Sequence, residues 1–264
     1  VFDDGSDDED LFRILEIVAV VSPAAVRLVR AAKNQGRSVA RNRLIEHART
    51  NWILLLDADM SPDSIGFLSR YLNEIQNNNS PRLIVGGFSL ESAPKDKAFA
   101  LHRWQSEASE CLPASVRNTH PGRYVFTSNV MAHRSLLTDI SFDEQFSGWG
   151  WEDVDWGLRA AALSTVVHID NTATHLGLDT AETLMRKYGR SGENFALVLA
   201  KHPEALANTP LVRAARLLQK LPARKLLKAL AKKLAVTDAD FLPIGLRGRA
   251  LKLWRALVYA EALS

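Results

Sequence analysis

Five consecutive apolar residues, Trp52-Ile53-Leu54-Leu55-Leu56, end abruptly at Asp57-Ala58-Asp59. An apolar run of strand length with no polar alternation predicts a central strand buried on both faces. Strand-like segments at 25–30, 83–88, 124–132 and 165–169 alternate with helical patterns at 8–20, 38–49, 62–75 and 152–163. That alternation predicts an α/β layer structure with a mostly parallel central sheet. Ligands of such sheets sit outside the carboxyl ends of the strands, where Asp57 and Asp59 emerge.

Charge divides the chain unevenly. Of its 33 Lys+Arg and 30 Asp+Glu, residues 205–264 hold 12 basic against 3 acidic, leaving an acidic body before them. The expected division is an acidic α/β body at 1–204 and a basic helical extension at 205–264, whose helices at 211–221 and 224–234 flank Pro222. Basic amphipathic helices suit either packing on the body or contact with an anionic membrane surface. No recognised nucleic-acid module accompanies the charge, so nucleic acid is not an expected partner. The single cysteine, Cys111, excludes an intramolecular disulfide framework and a cysteine-based zinc finger. The opening Val1-Phe2, without methionine, reads as the end of a strand already under way, so the chain is expected to be an N-terminally trimmed piece.

Four features carry chemistry. Asp57 and Asp59 could hold a hard divalent cation that keeps water and phosphate oxygens as its other ligands, or they could form a solvated, capping turn. Asp3-Asp4-Gly5-Ser6 ends another strand on the same edge, where a carboxylate could accept from a base N–H or a sugar hydroxyl, or merely cap the following helix. Phe146-Ser147-Gly148-Trp149-Gly150-Trp151-Glu152-Asp153 joins adaptable glycines and flat indoles to two acids at a helix start. The helix dipole there favours ionised carboxylates and so a charged base. Finally, His175 follows a strand and could join Asp59 on a metal; His168, His120 and His133 compete for that place.

Taken in order, Asp3-Asp4-Gly5-Ser6, then Gly36-Arg37-Ser38-Val39-Ala40-Arg41-Asn42, then Asp57-Ala58-Asp59, resemble glycosyltransferase family 2, which has the GT-A (Rossmann-like) fold. Gly148-Trp149-Gly150-Trp151-Glu152-Asp153 and His175 resemble the C-terminal half of galactosyltransferase-like and chondroitin-polymerase-like members. The resemblance covers roughly residues 1–204. Family members carry a preceding strand and helix that this chain does not show.

The resemblance implies an inverting transfer of a hexosyl or N-acetylhexosaminyl group from a nucleotide sugar, UDP-linked, to a hydroxyl of a glycan or lipid-linked glycan. Asp3, Asp4, Arg41, Asn42 and Asp57 would bind the donor. Asp59 and His175 would hold Mn2+ or Mg2+ against the diphosphate. Asp153 would be the general base, with Glu152 binding hydroxyls beside it. Trp149, Trp151 and Asn129 would line the acceptor site. It also implies polysaccharide biosynthesis on the cytoplasmic side, with peripheral membrane contact through 205–264. Two other classes compete: a sugar-phosphate nucleotidyltransferase, whose Gly-rich phosphate loop is not visible, and a catalytically impaired glycan- or nucleotide-binding relative.

Overall fold

A computed structural model of the chain describes residues 1–78, 80–239 and 241–264. In chain order its strands and α-helices are β1 (Phe2–Asp3), α1 (Glu9–Val21), β2 (Val29–Arg30), α2 (Arg37–His47), β3 (Trp52–Leu56), β4 (Met60–Pro62), α3 (Phe67–Asn77), β5 (Arg82–Val85), β6 (Phe88–Ser89), α4 (Ala100–Ser109), α5 (Ala114–Arg117), β7 (Asn129–His133), α6 (Arg134–Asp139), α7 (Glu152–Leu163), β8 (Thr165–His168), β9 (Ala173–His175), α8 (Ala181–Arg190), α9 (Gly192–Lys201), α10 (Pro203–Leu206), α11 (Pro210–Gln219), α12 (Arg224–Val236) and α13 (Ile244–Ala262).

The central sheet has the order β3-β7-β5-β8. β5 and β8 are parallel, and β7 lies antiparallel to both β3 and β5. Three of the four strands therefore share one direction, with β7 reversed between them. Beside this sheet, β4-β9-β6 form a second sheet at the end where Leu56 hands the chain to Asp57. β1 and β2 make a separate parallel pair. Segment 62–75 departs from the expected helix: Pro62 pairs with Ala173 in β4, and the helix starts only after Gly66.

Apolar side chains close over both faces of the central sheet. Leu83, Val85, Val130 and Ala132 meet Phe142, Trp156 and Ala160 on one face. Ile84 and Met131 meet Phe67 and Tyr71 on the other. Sheet residues alternate between these two layers, as the period of two requires. Arg117 is fully buried among strand ends and donates to the carbonyls of Leu112, Val85, Gly86 and Ile169.

A third core joins the basic helices to the body. Val212, Ala231, Leu251, Trp254 and Tyr259 pack with Leu101, Leu184, Phe195 and Val198. Gly189 makes this possible locally, because a side chain there would press on the Trp254 indole at 3.3 Å. Thr209 caps α11 by accepting from the Val212 N–H, with Pro210 preset for the first turn. The lysines and arginines of α12 lie mainly outside this core, interspersed with exposed Leu226 and Leu230. None of the described helices is long and apolar enough to cross a membrane.

Candidate active site

An open cleft of about 260 Å³ lies where β3, α7, β9 and α13 converge. Asp57, Asp59, Trp149, Trp151, Glu152, Asp153 and His175 all line it. The carboxyl end of β3 delivers Asp57 and Asp59. The first turn of α7 delivers Glu152 and Asp153 from a sequence position about a hundred residues later.

The loop into α7 is bent by left-handed backbone. Gly148 and Gly150 have φ of +72° and +94°, and Trp151 has φ of +78°. A left-handed tryptophan is strained, and it is held there by its surroundings. Its indole packs on Phe195 and Tyr259, and its Nε1 donates to the Tyr259 hydroxyl at 3.2 Å. Trp149 sets its edge against Tyr188, with ring centroids 5.1 Å apart. Both indoles therefore serve core and cleft together.

Arg41, almost wholly buried, joins three carboxylates. Its Nη1 donates to Asp153 Oδ1 at 3.1 Å and to Glu152 Oε1 at 3.3 Å, while Nη2 lies 3.6 Å from Asp57 Oδ1. Arg37 adds contacts to Glu152 at 3.3 Å and Asp57 at 3.9 Å. Burial lowers the pKa of Arg41, but Asp153, Asp57 and Glu152 outweigh it and the net shift is upward. Burial is also the largest influence on Asp57 and Glu152. It raises both pKa values, with Asp153 adding repulsion and the two arginines pulling down. For Glu152, burial thus overrides the helix-dipole effect expected from the sequence.

Asp153 is oriented from the β7 side. Thr127 donates through Oγ1 to Asp153 Oδ1 at 2.7 Å and through its N–H to Oδ2 at 3.3 Å. Oδ1 is thus shared between Thr127 and Arg41, while Oδ2 carries only the longer bond. Neighbouring Ser128 lines the cleft, and its hydroxyl is buried without a hydrogen-bond partner.

At the opposite wall, His175 Nε2 lies 3.3 Å from Asp59 Oδ2. The contact with His175 is the main cause of the lowered Asp59 pKa. Gly177 permits the approach: a Cβ at that position would overlap the Asp59 carboxylate. His175 Nδ1 is buried without a partner. Among the described residues no third His, Cys, Asp or Glu closes a protein-only metal cage. A carboxylate oxygen, an imidazole nitrogen and an open side fit a hard divalent cation that completes its shell with water and phosphate oxygens.

The other sequence candidates lie outside the cleft lining. Asp3 Oδ1 accepts from the Ser6 N–H and hydroxyl, and Asp3 Oδ2 pairs with Arg30 at 3.4 Å. Asp4 accepts from the Gln35 and Gly36 N–H groups, tying β1 to the start of α2. Asn42 faces away from the cleft and clasps the 142–144 segment, bonding Phe142 in both directions and Glu144 at 2.9 Å. Asn129 is buried beneath the cleft, where its amide joins Tyr71, Gly87 and Asn171. Its neighbour Ser128, itself largely buried, takes the place in the cleft lining. His168 is a buried structural imidazole held by Arg117 and the Pro121 carbonyl.

The structure adds residues that the sequence reading did not single out. Arg37, Thr127, His102, Tyr188, Arg255 and Tyr259 all touch the cleft or its carboxylates. A lone arginine inside the apolar run Leu253–Ala260 was the available signal for Arg255.

Comparison with known proteins agrees with this architecture. Residues 1–126 match the Glycosyl transferase family 2 model. A hyaluronan synthase of Pasteurella multocida is 28% identical over 188 residues, which are 60% of this chain and 19% of that protein. The chain thus spans about a fifth of that relative. S. aureus TarS 1–349 superposes with a TM-score of 0.54 at 16% identity, covering 99% of this chain and 80% of that one. TarS has also been solved in complex with UDP-GlcNAc; that structure gives a TM-score of 0.53 at 14% identity over the same shares of both chains. A mannosyltransferase from Pyrobaculum calidifontis, in complex with GDP-Man and Mn2+, gives 0.56 at 16% identity, covering 99% and 76%. Residues 1–126 therefore belong to glycosyl transferase family 2, and the chain has the GT-A fold.

Proposed function

We propose that this chain transfers a sugar, with inversion, from a UDP-linked donor to a hydroxyl of a glycan or lipid-linked glycan acceptor. The observation that carries the proposal is the meeting of Asp57, Asp59, His175 and Asp153 in one cleft, although they come from three separate chain segments. The S. aureus neighbour's complex with UDP-GlcNAc supports a nucleotide-sugar donor, and the Pyrobaculum calidifontis neighbour's Mn2+ supports divalent metal use.

In this reading Asp59 and His175 would hold Mn2+ or Mg2+, whose positive charge would offset the negative charge of the departing diphosphate. Asp57 contacts the donor's ribose, and Arg41 holds Asp57 in place rather than reaching the nucleotide itself. Asp3 and Asp4 shape the loop toward the base. The acceptor stacks on Trp149 and Trp151 with Glu152 beside it. Asp153 Oδ2, the less encumbered oxygen, takes the acceptor proton as the hydroxyl oxygen bonds to the anomeric carbon. The bond from that carbon to the diphosphate oxygen breaks with its electron pair, and nucleoside diphosphate leaves from the opposite face. A single displacement inverts the anomeric centre.

The division at 204/205 is proposed in the same sense, as a catalytic body and a helical extension that completes the cleft wall. Exposed Leu217, Leu226 and Leu230 beside Lys225 and Lys232 suit peripheral contact with an anionic membrane at the cytoplasmic face.

The test is a screen of UDP- and GDP-sugars with oligosaccharide acceptors in Mn2+ or Mg2+, monitoring released nucleotide and product anomer. Release of UDP with an inverted product is expected. Pyrophosphate in its place, or no release from any donor, overturns the proposal.

A further inference from the structure

Three Lys or Arg side chains line the cleft, and two of them are neutralised at close range. Arg37 pairs with Glu152 and Asp57, and Lys187 binds Asp179 at 2.6 Å. Arg255, on the inner face of α13, has no carboxylate partner at ion-pair distance among the described residues. Its guanidinium lies over the Tyr188 ring, 4.9 Å from the centroid. Its Nε is buried with no hydrogen-bond partner. Burial pulls its pKa down, but Tyr188, which also hydrogen-bonds it, together with Tyr259 and Glu110 outweighs burial and the net shift is upward.

A half-buried cation that lacks a counter-ion carries a desolvation cost which an incoming anion relieves. A guanidinium presents a planar fork of donors matched to carboxylate or phosphate oxygens, and the shielded setting strengthens such a pair. The position selects which substrate brings the anion. The Tyr188 ring under Arg255 is edge-packed on Trp149, on the acceptor side, whereas the proposed diphosphate site lies at Asp59 and His175.

We propose that Arg255 is a specificity-determining residue that binds an oxyanion, carboxylate or phosphate, on the acceptor saccharide. The inference rests on the glycosyl-transfer reading above. It makes the C-terminal helix a part of acceptor recognition.

Two measurements on the intact chain test it. In the first, transfer kinetics are compared for a disaccharide acceptor ending in a hexuronate, one ending in a hexose 6-phosphate, and the neutral parent. The wild type is expected to prefer one of the anionic acceptors, through KM, over the neutral one. R255Q should reduce that preference about tenfold or more, with partial recovery in R255K; the preferred acceptor distinguishes carboxylate from phosphate. An unchanged preference in R255Q overturns the proposal, as does a wild type indifferent to acceptor charge. In the second, the same three saccharides are titrated calorimetrically into wild type and R255Q in the presence of UDP. Charge-selective binding that depends on Arg255, in a protein that turns over no donor, would keep the subsite and sink the transfer reaction. Turnover without such selectivity would do the reverse. A loss confined to UDP affinity would move Arg255 to the donor side and overturn the acceptor assignment.

Discussion

Arg41 Nη1 stands 3.1 Å from Asp153 Oδ1, and the same guanidinium reaches Glu152 and Asp57. One buried cation from α2 therefore aligns acids from β3 and α7, and Arg37 of the same helix bridges Asp57 and Glu152 a second time. Removing it leaves carboxylates buried without compensation, which costs far more than the pair contributes in isolation. Arg41→Met should lower unfolding free energy by about 3–5 kcal/mol in urea titration and abolish transfer. A loss under about 1 kcal/mol would show that solvent reaches these acids and that the bridge is dispensable.

Asp153→Asn tests the base. The amide oxygen can still accept from Thr127 and Arg41, so the fold should survive the change. Turnover should fall by about 10²–10⁴, the usual contribution of a positioned general base, with UDP affinity within a factor of about two of wild type. Wild-type turnover in this variant would remove Asp153 from the proton-transfer role.

Asp59→Ala addresses the metal. Calorimetric titration of UDP with Mn2+, repeated in EDTA, should show tighter binding with metal for the wild type. The difference should disappear in the variant, because a single imidazole remains as protein ligand. If both proteins gain equally from Mn2+, Asp59 does not hold the ion.

Much of this frame was legible because its signals are local. The run Trp52–Leu56 is a strand over those same residues, and the helix expected at 152–163 occupies those residues. The side-chain directions were less accessible. Arg41 and Asn42 are adjacent in sequence but about 100° apart around a helix, so one meets the cleft acids and the other clasps the 142–144 segment. Ser128, in the turn before β7, lines the cleft whereas Asn129, the first residue of β7, is buried beneath it, and pattern alone did not say which faced the ligand. Pro62 was read as a helix start, yet tertiary pairing with Ala173 took it into a strand. Arg255 was grouped with the basic tail, since net charge counts residues and cannot show that one of them turns inward.

Acid should weaken the fold through His168. This imidazole is 3% exposed, receives a hydrogen bond from Arg117 at Nδ1 and donates from Nε2 to the Pro121 carbonyl. Burial, reinforced by the Arg117 charge, lowers its pKa from 6.5 to about 4 against a smaller opposing effect of Pro121. Between those values the unfolded chain binds a proton that the native state refuses. The His168 contribution is therefore complete above pH 6.5 and declines as pH falls toward 4, by a total of the order of 3 kcal/mol. Urea titrations at pH 7.5, 6, 5 and 4, within the range of about one pH unit around each pKa, should show a shallower decline in His168→Gln than in wild type. Parallel curves would assign the acid sensitivity to other groups.

Arg117 is the strongest stability prediction, because the Leu112 and Ile169 carbonyls accept from it, while those of Val85 and Gly86 also receive the Ile169 and Asn171 N–H groups. Nε serves Leu112, Nη1 serves Val85 and His168, and Nη2 serves Gly86 and Ile169, with the Asp170 carboxylate at 3.8 Å. Gly87 has φ of +93°, and a Cβ there would press into the guanidinium, so the backbone is shaped around this side chain. Arg117→Met keeps much of the volume but strands the Leu112 and Ile169 carbonyls, each costing about 1–3 kcal/mol when left unpaired. The expected outcome is a loss of about 2–6 kcal/mol or failure to fold, larger than for the solvent-facing Arg213→Met, as measured by urea titration or by soluble yield. A variant within about 1 kcal/mol of wild type would mean that water replaces the guanidinium, and the strand ends beneath the cleft would then not depend on Arg117 for their position.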